Sequence, residues 1–408
     1  MKAMGPIPPG YGCEDGMLTI SGCRVDALVQ NAGRTPLFVY DMAMIRYRVS
    51  QLRLAMPSEL AIHYAIKANP LPELVGKMAS VVDGLDVASV GEMQVAVASG
   101  CPHISFAGPG KQDHELKSAI ANGVTLNLES EGEAQRAVAI AQAVGIIPKL
   151  AVRVNPDFDL KGSGMRMGGG AKPFGIDAER VPELVKWIVN SGAEWRGFHI
   201  FAGSQALDAD AIADTQAQTV SLAGELAEKA GHAPPFVNLG GGFGVPYFPG
   251  DAPVDIAGVG EKLSKQLDGR PDILAQTNFA IELGRYLVAE AGVYLTRIVD
   301  RKVSHGDVFL VTDGGLHHQL AASGNFGTVV RRNYPIAIAN KFGAEVAETA
   351  SVVGCLCTPL DRLGDQVGLP VADRGDIVAL FMAGAYGASA SPAGFLGHPA
   401  AAERLIDD

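Results

Sequence analysis

The feature that most limits the fold is an alternation of short apolar runs with amphipathic stretches, repeated from about residue 60 to residue 285. The runs are LAIHYAIK (60–67), GLDVAS (84–89), ISFAGP (104–109), VTLNLES (124–130), KLAVRVN (149–155), GFHIFAG (197–203), FVNLGGG (236–242) and FAIELGR (279–285). Each has the length of a buried strand. The stretches between them, such as EGEAQRAVAIAQAVG and ERVPELVKWIVNSG, repeat apolar residues at three- and four-residue steps, as helices do. Eight such β/α units in about 225 residues fit a closed (β/α)8 barrel of the α/β class. A doubly wound open sheet is the alternative that periodicity leaves standing.

Past residue 285 the pattern changes. DVFLVTDGG, ASVVGCLC and DIVALFMAGAY look like strands joined by turns, and DGMLTISGCRV near the start reads the same way. This predicts a barrel over 34–285 and a β-domain over 286–408, joined by the N-terminal segment 1–33.

Composition narrows the function. A hydrophobic content of 48% with 19% charged residues supplies a large core, and a net charge of −11 argues against nucleic acid as a main partner. The 5 cysteines show no disulfide spacing, which fits a reducing, cytoplasmic setting. There is no basic-then-apolar leader and no apolar run of roughly 18 residues, so neither export nor a membrane span is expected.

A barrel carries its chemistry at the C-terminal ends of its strands. Lys67 ends the first run, Asp86 lies in the second and Arg153 ends the fifth. Gly203-Ser204 follow the sixth, Gly240-Gly241-Gly242 end the seventh, and Glu282 with Arg285 ends the eighth. One lysine, several acids, a glycine turn and an arginine suit a phosphate-bearing cofactor. Taken singly each has a plainer reading: LGGGFG (239–244) is also a tight turn without the full GxGxxG spacing, and Arg285 is also a structural partner for Glu282.

The motifs YAIKAN (64–69), DVAS (86–89), GEM (91–93), RVNP (153–156), GSQ (203–205), NLGGGFG (238–244), ELGR (282–285), GCLC (354–357) with Asp361, and GAYG (384–387) run through nearly the whole chain. Together they resemble the fold-type III pyridoxal phosphate (PLP) decarboxylases, the ornithine, arginine and diaminopimelate decarboxylase family, whose barrel is like that of alanine racemase. The resemblance implies that Lys67 carries PLP as a Schiff base and that Glu282 keeps the pyridine nitrogen protonated. It implies that Gly240, Gly241 and Gly242 offer amides to the phosphate, with Ser204, Arg285 and Tyr386 completing the cup. Asp86 would lie near Lys67, and Arg153 and Phe201 would belong to the cofactor pocket. Cys357 would protonate the carbanion carbon from the other subunit of a head-to-tail homodimer with shared sites. A racemase on the same barrel is disfavoured by the Cys357 and Asp361 motif. A silent regulator resembling the antizyme inhibitors would have lost cofactor-binding residues that this chain keeps.

Three positions depart from the common members. Thr358 stands where diamine-forming relatives carry an acid for the distal ammonium, a charge that a hydroxyl cannot neutralise. Phe201 replaces the histidine usually stacked on the cofactor ring, and His199, two residues earlier, is not the stacking residue. VVRRNYP (329–335) replaces the Arg-Pro motif that holds a distal carboxylate, leaving Arg331 and Arg332 as carboxylate ligands or as a solvated face. With VPYF, DGGLHH, LCTP and GAYGASASPAGFLGHP, these features resemble a subgroup that includes the butirosin-pathway decarboxylase of carrier-bound glutamate and decarboxylases encoded with exosortase systems. That implies an amino-acid substrate, free or tethered to an acyl carrier protein, with Lys161, Arg166, Lys172, Arg331 and Arg332 as a basic docking surface for the carrier; free diaminopimelate is the alternative. Thr358, Asp361, Arg331 and Arg332 are the substrate-side residues. No metal is expected: Cys355-x-Cys357 has no second ligand pair in the sequence. His317 and His318, as neighbours on a strand, should face opposite ways.

Overall fold

The structure is a computed structural model that describes residues 1–162, 164–324 and 332–407. It divides into two compact units. The first, residues 48–244 and 253–284, contains the eight parallel strands β1 (Ala61–Ala65), β2 (Gly84–Val87), β3 (Ile104–Phe106), β4 (Thr125–Leu128), β5 (Lys149–Asn155), β6 (Glu194–Ile200), β7 (Phe236–Asn238) and β8 (Asn278–Leu283). Each pairs with the next, and β8 pairs back to β1 with Leu283 opposite Tyr64, so the sheet closes. The barrel, not the open sheet, is the fold.

Local chemistry explains the connections. Ser89 in DVAS caps helix Val90–Ala98 by accepting from the Glu92 amide, while the Glu92 carboxylate accepts from the Ala88 amide 2.7 Å away. Ser130 and Asp208 cap the helices after β4 and β6 in the same way. Part of the motif signal is therefore helix capping at the strand ends, which fixes where each strand stops.

The second unit comprises residues 1–47, 245–252 and 285–408. Its mixed sheet contains β9 (Gly292–Ser304), β10 (Asp307–Thr312), β11 (Ile336–Ile338), β12 (Glu348–Val353), β13 (Arg362–Leu369), β14 (Ile377–Leu380) and β15 (Ala402–Ile406). The strand Leu37–Asp41 pairs with β9 and β15, so it belongs to this sheet, and residues 34–47 group with the second unit and not with the barrel. The reason is visible in the core, where Leu37 and Val39 pack with Leu18, Ile20, Val293, Leu295 and Phe381. Residues 245–252 and Arg285 also group with this unit. His317 and His318 need a second correction. They occupy a turn after β10 and not a strand, both are buried, and their ring centroids lie 3.7 Å apart. Among the described residues no helix is long and apolar enough to cross a membrane.

Candidate active site

The C-terminal ends of β1, β6 and β8 bring three polar side chains together. Lys67 sits in a single 3₁₀ turn directly after β1, and its Nζ lies 3.6 Å from Glu282 Oε1. His199 Nε2 lies 2.8 Å from Glu282 Oε2; because a carboxylate only accepts, Nε2 carries the proton. Burial alone would push the Glu282 carboxyl up. The Lys67 ammonium, the His199 hydrogen bond and the Arg153 guanidinium outweigh it and hold the group well below the usual carboxylate range. The result is a buried carboxylate that stays charged. Phe201 lies beside the lysine, with Nζ 5.4 Å from its ring centroid.

Arg153, on β5, donates to Glu129 Oε1 at 2.8 Å and stacks over Phe174 at 5.2 Å. Glu129 also accepts from the Gly175 amide. Neither Glu129 nor His199 was assigned a role from sequence. Both occupy strand-end or inward-facing positions in runs already recognised, LNLES and GFHIFAG, and that position is the signal that could have found them. Asp86 is hydrogen-bonded to Ser105 and lies 3.3 Å from His63 Nδ1.

The glycine turn follows β7. Gly240 and Gly242 have φ of +72° and +96°, in the region that favours glycine and of the kind from which backbone anion nests are built. The requirement for glycine arises first from the protein itself: a Cβ at Gly241 would lie 2.0 Å from the Glu282 carbonyl oxygen, and one at Gly240 would lie 2.5 Å from that of Ile200. The Gly240 amide donates to Asn238 Oδ1 at 2.9 Å. The Ser204 hydroxyl is buried with no hydrogen-bond partner among the described residues. An orphaned hydroxyl beside a glycine nest and an anionic buried carboxylate beside an accessible lysine fit a PLP phosphate, pyridine nitrogen and aldehyde carbon in turn.

In the second unit, Arg285 Nη1 donates to Tyr247 Oη at 3.0 Å and its guanidinium stacks on Tyr386 at 4.7 Å. Tyr386 has φ of +55°, a strained conformation for a bulky residue. Cys357 is exposed in the loop after β12. Asp361 is buried, and its carboxylate accepts from the Leu316 and Leu356 amides at 2.6 and 2.9 Å. These bonds brace the Cys357 loop. Thr358 Oγ1 accepts from the Leu360 amide at 3.3 Å. Arg332 is exposed and stacks on Phe248 at 3.7 Å; Arg331 lies outside the described residues. A cavity lined by His63, His103, Lys149 and Arg196 opens at the N-terminal ends of the barrel strands, the end associated with stability and not with catalysis.

A closed parallel barrel with a lysine, an anionic carboxylate and a glycine nest at its strand ends defines a PLP enzyme. The sequence model of the pyridoxal-dependent decarboxylase pyridoxal-binding domain matches residues 42–289, and the chain belongs to that family: it is a PLP-dependent amino-acid decarboxylase, a carbon–carbon lyase. It is 37% identical to L-glutamyl-[BtrI acyl-carrier protein] decarboxylase of Niallia circulans over 91% of this chain and 88% of that one. It is 31% identical to diaminopimelate decarboxylase of Archaeoglobus fulgidus over 97% and 93%. The solved diaminopimelate decarboxylase of M. jannaschii with L-lysine superposes with a TM-score of 0.88 at 25% identity, covering 98% of this chain and 93% of that one.

Proposed function

We propose that this decarboxylase acts on an acidic or neutral L-amino acid carried on an acyl carrier protein, of the glutamyl type, and not on a free diamino acid. The observation that carries the reading is Thr358. Its hydroxyl, engaged by the Leu360 amide, stands where a diamine-forming enzyme needs a carboxylate, and an unpaired buried ammonium costs several kcal/mol. The likeness to the Niallia circulans carrier-protein decarboxylase supports it. Lys161 and Arg332 are exposed and are cations of the kind an acidic carrier would meet.

Bound PLP supplies the electron sink for the charge left when CO₂ departs. The chain supplies the rest. Lys67 Nζ anchors the cofactor and exchanges protons at the reacting carbon, and Glu282 holds the pyridine nitrogen protonated. Phe201 covers the ring. The phosphate falls to Gly241, Gly242 and Ser204, since the Gly240 amide is already engaged. Cys357 Sγ delivers a proton to Cα from a second subunit.

Two experiments test this reading. Glutamyl-carrier protein, free glutamate, free diaminopimelate and free lysine are compared by CO₂ release. The carrier-bound substrate is expected to turn over best, and brisk turnover of diaminopimelate would overturn the reading of Thr358. For the shared site, Lys67→Ala and Cys357→Ala chains are mixed. Random pairing leaves one working site in half the dimers, so about a quarter of wild-type activity should return. No recovery would place both residues in one chain.

A further inference from the structure

Three loops of the second unit converge on a cluster that the decarboxylation chemistry does not use. His317 follows β10, Cys355 follows β12, and His398 precedes β15. Their ligand atoms all lie within 4.8 Å of one another. Cys355 Sγ is 3.9 Å from both ring nitrogens of His398, and the His317 and His398 rings are 5.2 Å apart.

The second observation is His317 itself. It is 0% exposed, yet neither ring nitrogen has a hydrogen-bond partner among the described residues. A neutral imidazole has one donor and one acceptor, and burying both without partners is costly. Its neighbour shows the ordinary solution: His318 Nε2 donates to the Pro399 carbonyl at 2.9 Å, and Nδ1 accepts from Tyr294 Oη at 3.1 Å.

We propose that His317, Cys355 and His398 bind a divalent cation that prefers imidazole and thiolate, with zinc the best match. Zinc takes imidazole and thiolate ligands together, and open zinc sites use three protein ligands with water in the fourth position, which the partly exposed sides of Cys355 and His398 leave free. Binding forms an S–metal bond and releases the Cys355 proton to solvent. The cation would tie together three loops, including the one that carries Cys357. Sequence spacing hides the site because its ligands lie on loops far apart in the chain, and the C-x-C pair contributes only one of its two thiols.

The test uses the full-length holoenzyme, stripped of adventitious metal and titrated with zinc against a chromogenic chelator, then with cobalt(II) as a spectroscopic probe. One equivalent per chain is expected, with a thiolate-to-cobalt charge-transfer band and tetrahedral visible bands. Cys355→Ser should abolish the charge-transfer band. His398→Ala, at a partly exposed position where folding is least at risk, should weaken zinc by at least about 100-fold, the upper end of what even outer-shell partners contribute. Cys357→Ser should bind as wild type. No uptake by the wild type, uptake unchanged by both ligand substitutions, or loss in Cys357→Ser alone would each overturn the site.

Discussion

Lys67→Ala is expected to lose the visible absorption of the protein-bound cofactor and to lower decarboxylation by about 10³-fold or more. A positioned proton-transfer group alone contributes on the order of 10²–10⁴-fold, and in the proposed role this lysine would also anchor the cofactor covalently. The loss should be separable from unfolding. The Lys67 side chain is 45% exposed, so its truncation opens no core cavity, and a thermal melt of the variant should show a folded, cooperative protein. Lys111 provides the contrast. Its Nζ is buried and donates to the Gly108 and Asn127 carbonyls and to Glu133, so replacing it should unfold the barrel without addressing the cofactor.

The second large effect is at Glu282. Glu282→Gln keeps the shape and the hydrogen bond from His199 but removes the charge that, in the proposed role, would hold the pyridine nitrogen protonated. Loss of one preorganised electrostatic contact in a water-excluded site typically costs about 10²–10³-fold in kcat, and the variant should still bind PLP. The same residue predicts a pH dependence of stability in the cofactor-free protein. Its folded pKa lies well below the ordinary value of 4.5, so its contribution is fully present above about pH 4.5 and disappears as pH falls through the folded value. The difference in urea midpoint between wild type and Glu282→Gln should therefore be constant from neutral pH to about pH 5 and shrink only in stronger acid. A difference that shrank near neutrality would show that the carboxyl is not held ionised.

Much of this was legible before any coordinates. The eight strands were marked by apolar runs because strands buried on both faces have little choice of residue, and Lys67, Glu282 and the glycine turn stood at their ends. Three things escaped, each for a physical reason. Leu37–Asp41 reads like any buried strand, and only its pairing with β9 assigns it to the β-unit. His199 and Glu129 act through partners supplied by other strands, a proximity that no local pattern encodes. Asp361 is expected on the substrate side, and its carboxylate also accepts from two backbone amides of the surrounding loops, a partnership that no local motif shows. The glycine turn was found for a reason that proved secondary: its close neighbours are the carbonyls of Ile200 and Glu282, so tight backbone packing demands glycine even before a phosphate arrives.

The most direct test of the account is to reduce the holoenzyme with borohydride, digest it and locate the pyridoxyl group by mass spectrometry. The label is expected on the peptide containing Lys67, at close to one per chain, and to be absent from Lys67→Ala. A label on another lysine, such as Lys111 or Lys161, or a Lys67 peptide that stays unmodified in active enzyme, would contradict it.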